Sequence, residues 1–176
     1  MTPTLPSRSP TASPDAPILE FIRYNNWANL KVLDACQGLS AEQLDTTVVG
    51  CFGSIRHTLE HIIRSEEIYA GRLSGTRLPA AFNWEDRPAL AEIAVYAAQV
   101  GAALAEAVAG SQPNDVIHQT RQGETLTYQT IVLWIQIIDH GIEHRTNITT
   151  ILNQLALPAP EVDGWSYWDG NRERYT

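Results

Sequence analysis

"LWIQIIDHGIEHRTNITTIL", residues 133–152, decides how the rest of the chain is read. On a helix that turns about 100° per residue, Leu133, Ile137, His140, His144, Ile148, Ile151 and Leu155 fall in one row, spaced by threes and fours. That is the rhythm of a packed seam. A second row holds Ile131, Trp134, Ile138, Ile142 and Leu152. The spacing therefore predicts a central helix with two buried faces, from about Thr127 to Leu155. Gln136, Asp139, Glu143 and Asn147 form its polar flank. The two histidines take seam positions, not flank positions. Three roles compete for them: buried hydrogen-bonding groups, an exposed polar patch, or metal ligands. The seam disfavours the patch. A buried imidazole needs a partner, because an unpaired buried polar group costs about 1–3 kcal/mol.

Upstream, helical periodicity recurs three times. A first helix opens near Asp15 and Pro17, with the stripe Leu19, Ile22, Leu30 and Leu33; Asn26 interrupts it. After "CFGS", a second helix runs from about Ser54 to Leu73 on Ile55, Leu59, Ile62, Ile63, Tyr69 and Leu73. Asp86 and Pro88 open a third, with Leu90, Ile93, Ala97, Val100, Leu104 and Val108, and Gly110 ends it. "DVIHQTRQGETLT" is polar, partly β-branched and contains Gly, which suits a short hairpin or an extended excursion. Four long helices with modest connections predict an all-α four-helix bundle over 15–155. Residues 1–14, "MTPTLPSRSPTASP", have little to bury and read as a disordered leader. Residues 156–176 are broken by Pro and Gly yet carry Trp165, Tyr167 and Trp168; they read as an aromatic tail packing on the bundle, over the pocket or a dimer face.

The second helix supplies "IRHTLEHII", another histidine pair four residues apart. His57 lies opposite the apolar stripe and reads as a surface residue, whereas His61 sits at the stripe's edge, where cleft and core roles are both open. His61, His140 and His144 make a three-imidazole set from two helices. Three protein nitrogens with open positions suit catalytic zinc, and also nickel or iron. Two rival motifs fit less well. "HGIEH" matches the inverted zinc-peptidase pattern, with Glu143 as base, but that pattern needs a carboxylate ligand well downstream in a different architecture. A ferritin-like di-iron site needs Glu three residues before His, and no histidine here has it. His118 belongs to the hairpin segment and reads as a surface residue. Asp139 and Glu143 are the nearest candidates to orient the imidazoles from outside.

Composition narrows the partners. The chain has 176 residues and a formal charge of −8, which disfavours nucleic acid and anionic membranes, since both demand clustered Lys and Arg. The apolar run Ile131–Ile135 is far too short to span a bilayer, and the start of the chain has no signal-peptide-like apolar stretch. Cys36 and Cys51 show no CxxC spacing, and neither aligns with the seam. A cytoplasmic protein with reduced thiols is expected.

The order of "YNNWAN" in the first helix (residues 24–29), "GSIRHTLEHIIRSEEIYAGRL" in the second and "DHGIEHRTNI" in the fourth resembles the DinB/YfiT-like family of metal-binding four-helix bundles, over roughly residues 18–155. The resemblance implies one histidine ligand on the second helix and two on the fourth, which fall on His61, His140 and His144. It implies one divalent metal (zinc, nickel or iron) and a homodimer. Family members include thiol-dependent S-transferases and a mycothiol-dependent isomerase. The implied activity is therefore metal-dependent transfer of a low-molecular-weight thiol, or attack by water, on an electrophilic small molecule. A non-catalytic metal-binding or stress-response module is the alternative, and a metal-dependent hydrolase a third reading. Arg145 matches the family's Arg after the second helix-four histidine, and an ion pair with Glu66 or Glu67 is expected for it. Asn26 is expected either to reach the site from outside the ligand set or to make a buried helix–helix hydrogen bond. Trp27 is expected in the core.

Overall fold

The computed structural model describes residues 16–79 and 81–175 and is mostly helical. The leader expected at 1–14 lies outside the described residues. The helices are α1 (Ala16–Cys36), α2 (Ala41–Leu44), α3 (Ile55–Ser74), α4 (Leu90–Ala109), α5 (Thr130–Gln154) and α6 (Gly164–Gly170). Strands β1 (Val116–Arg121) and β2 (Glu124–Gln129) form an antiparallel hairpin with Ile117 opposite Tyr128. Its two-residue turn uses positive φ at Gln122 (52°) and Gly123 (85°), the twist that matches flanking strands. The hairpin claims Thr127–Gln129, so α5 begins three residues later than the periodicity predicts. Local chemistry sets the helix ends. Ser54 caps α3 by accepting from the His57 amide at 3.2 Å, and Gly75 ends it at φ 72°. The Glu92 carboxylate accepts the Ala89 amide at 2.8 Å at the start of α4.

The long helices α1 and α3 each pack on both α4 and α5. One core cluster gathers Val32, Leu33 and Cys36 with Ile55 to Ile63, Leu90 to Val100, and Ile148 to Leu152. The other gathers Ile22 with Tyr69, Ala70, Leu104, Val108, Leu133, Trp134 and Ile137. The start of α1 thus meets the end of α3, the end of α4 and the start of α5, so α1 and α5 run one way and α3 and α4 the other. Between the two apolar clusters lies a buried polar layer: Asn25, Asn29, Glu66, His140, His144 and Arg145.

Two sequence expectations need correcting. In α1 the buried face is Ile22, Asn25, Ala28, Asn29, Val32, Leu33 and Cys36, while Leu30 is exposed. The helix is rotated from its apolar stripe because the polar layer draws two asparagines inward. In α5 the seam is buried throughout Leu133–Ile151, but of the second row only Trp134 and Leu152 are; Ile131 and Ile142 are exposed. One helix, α4, is long and apolar enough to cross a membrane by length and composition alone. Here its Ile93, Val100, Leu104 and Val108 are fully buried in the core. The tail docks on α1 through Tyr167, whose hydroxyl donates to Glu20 Oε1 at 2.6 Å, while Trp165 stays exposed.

Candidate metal centre

Helical spacing brings the imidazoles together. His140 and His144 lie one turn apart on the inner face of α5, and α3 runs beside it with His61 at the edge of its apolar stripe. Ligand-capable nitrogens of His61, His140 and His144 all lie within 4.8 Å of one another. His61 Nε2 and His140 Nε2 are 2.9 Å apart, and ring centroids are separated by 4.3–4.9 Å. Among the described residues no carboxylate or thiol joins the three. The Cys51 thiol donates instead to the Asn147 carbonyl at 3.7 Å, and Cys36 is buried in the core.

The electrostatics suit ligation. Burial, with help from the neighbouring His144 and His61, pushes His140 down to about 4. Burial likewise lowers His61 and His144, with Glu143 pulling the latter partly back. All three rings are therefore neutral near pH 7, the form that binds a metal. Among the described residues the buried Nδ1 atoms of His140 and His144 have no hydrogen-bond partner. Leaving two such nitrogens unpaired costs about 1–3 kcal/mol each. A cation shared by three neutral imidazoles fits this donor set.

Behind the histidines stands a network that the sequence only half revealed. Arg145 Nη1 donates to Asn25 Oδ1 and Asn29 Oδ1, both at 2.7 Å. The two asparagine amides donate on to Glu66 Oε1 at 2.6 and 2.7 Å. The expected Arg145–Glu66 pairing is thus relayed through two amides, and Glu67 instead faces Arg77 at 3.6 Å. Burial raises Glu66 and lowers Arg145, each opposed by the other's charge. Gly141 makes the arrangement possible, since a Cβ there would come within 2.2 Å of Asn25 Oδ1 and 2.6 Å of Arg145 Nη1.

Asn26 does not reach the site. Its amide donates to the Gly101 carbonyl of α4 at 2.7 Å, the helix–helix bond that was the other expectation. Asp139 and Glu143 are exposed, and neither hydrogen-bonds an imidazole; Glu143 acts on His144 only through its charge. His57 is exposed, as expected, and so is His118, which meets Thr127 Oγ1 at 3.1 Å. Trp27 is half-buried, its ring 5.3 Å from that of Tyr167. Sequence reasoning missed Phe52, which packs on both His61 and His144 with centroids 4.4 and 4.5 Å away. It also missed Asn25 and Asn29, whose spacing of four on one helix face was the available signal.

The model of the DinB family matches residues 10–174. Protein DinB of Bacillus subtilis (strain 168) is 24% identical over 161 residues, spanning 82% of this chain and 89% of that relative.

Proposed function

The chain belongs to the DinB family, and from that premise we propose that His61, His140 and His144 hold one divalent ion, zinc, nickel or iron, for thiol transfer. The four long helices are read as the family's four-helix bundle. The observation that carries the proposal is the cluster of three neutral imidazoles with no fourth protein ligand among the described residues. When bound, the metal lowers the pKa of a low-molecular-weight thiol or water and makes it a nucleophile near neutral pH. The chain's own part is positional. The α5 seam and α3 fix the rings, and the Arg145–Asn25–Asn29–Glu66 network braces α5 against α1 and α3 directly behind them.

The test incubates metal-loaded protein with glutathione, bacillithiol or mycothiol and an activated test electrophile. A thioether adduct that forms only with metal and is lost in His140→Ala supports the transferase. No metal-dependent adduct with any thiol leaves a non-catalytic metal-binding module, and metal-dependent hydrolysis of the electrophile points to the hydrolase. A cytoplasmic homodimer is part of the proposal. Its seat is the apolar surface of Phe21, Ile135 and Ile142, where α1 and α5 meet. A sedimentation mass of one chain at micromolar concentration contradicts it.

A further inference from the structure

The proposed chemistry assigns no task to Phe52, yet the loop that carries it is built onto the histidines. Phe52 stands 46% exposed, while His140 and His144 beneath are 7% and 4% exposed. Its ring packs on His61 and on His144 from the solvent side, and the exposed His57 ring stacks on it, 3° from coplanar at 5.1 Å. Gly53 lets His57 fold there, since a Cβ would come within 2.5 Å of His57 Nδ1. The loop is latched to α5. The Phe52 amide donates to Asn147 Oδ1 at 3.0 Å, and Asn147's own amide donates to the Glu143 carbonyl at 2.7 Å. One ring therefore covers the accessible edge of the cluster, and one side chain, three residues beyond His144, holds it down.

We infer that Phe52 is the access-determining residue of the triad: metal ions and small ligands exchange with the histidines when its ring lifts, and Asn147 sets how often it does. This rests on the metal-binding reading above. A ring that gates without ligating changes rates in both directions and leaves the equilibrium alone. The experiment follows zinc uptake by stopped flow, zinc release to excess chromophoric chelator, and equilibrium zinc affinity by competition. It compares wild type, Phe52→Ala, Asn147→Ala and Asn147→Asp. Phe52→Ala should speed uptake and release alike by about tenfold, the factor that ~1.4 kcal/mol of lost ring packing corresponds to. Its affinity should stay within about twofold of wild type. Asn147→Ala should also be fast. Asn147→Asp should fall between wild type and Asn147→Ala, because a carboxylate oxygen still accepts the Phe52 amide but cannot donate to the Glu143 carbonyl. The inference is overturned if Phe52→Ala exchanges zinc at the wild-type rate, or if release quickens only with a matching loss of affinity and no faster uptake. A wild type that binds no zinc overturns the metal reading and this inference together. Zinc binding with unchanged Phe52→Ala rates overturns this inference alone.

Discussion

Gly141 has only a hydrogen where any other residue would carry a Cβ, and Asn25 and Arg145 use that space. At an ordinary mid-helix position, Gly→Ala stabilises by about 0.5–1 kcal/mol through helix propensity. Here the added methyl must displace a hydrogen-bonded amide and a buried guanidinium. Gly141→Ala is therefore expected to destabilise by roughly 2 kcal/mol or more. Urea unfolding of the two proteins checks it, and a variant as stable as wild type would show that the network is slack. The same network explains why Asn26 drew attention in the sequence and Asn25 did not. Asn26 breaks an apolar stripe, which is a visible signal. Asn25 and Asn29 are buried only because Glu66 and Arg145, distant in sequence, meet them. A single helix's pattern cannot show that.

In α5 the sequence signal was strongest. The seam from Leu133 to Ile151 is buried as its spacing predicts, and His140 and His144 sit within it. The second row was misjudged because periodicity shows which residues avoid water, not whether this chain supplies their cover; Ile131 and Ile142 stay exposed. The start of α5 was misplaced because pairing with β1 outcompetes another turn of helix over Thr127–Gln129. The seam also makes a pH prediction for the metal-free protein. His140 titrates near 4 when folded, below the ~6.5 of an unfolded histidine. As pH falls from 6.5 toward 4, the unfolded chain takes up a proton that the folded one refuses, so stability is lost on acidification and regained as pH rises. For His140 the loss between pH 7.5 and 5 is about 2 kcal/mol. Denaturant unfolding of the metal-free protein at the two pH values should show that loss, and His140→Gln should show less of it. An equal loss in both proteins would place the titrating groups elsewhere.

Across the whole molecule, two apolar clusters sandwich one polar layer, which carries two of the three proposed ligands, with the half-buried His61 beside it. The helical class, the four long elements and the hairpin were legible because each rests on local periodicity and turn chemistry. The layer was legible only where it coincided with a seam. Its remaining members, Glu66 and the two asparagines, are set by contacts between helices far apart in sequence. Three neutral imidazoles stand against one another here, two of them with no hydrogen bond at Nδ1 among the described residues, and the central claim is that the cluster is held together to share one metal ion. The most direct measurement is zinc or nickel bound per chain after loading and desalting, for wild type and for His61→Ala, His140→Ala and His144→Ala. The account predicts one equivalent bound by wild type and a large loss of affinity in each variant. A wild type that retains no more metal than the variants would contradict it.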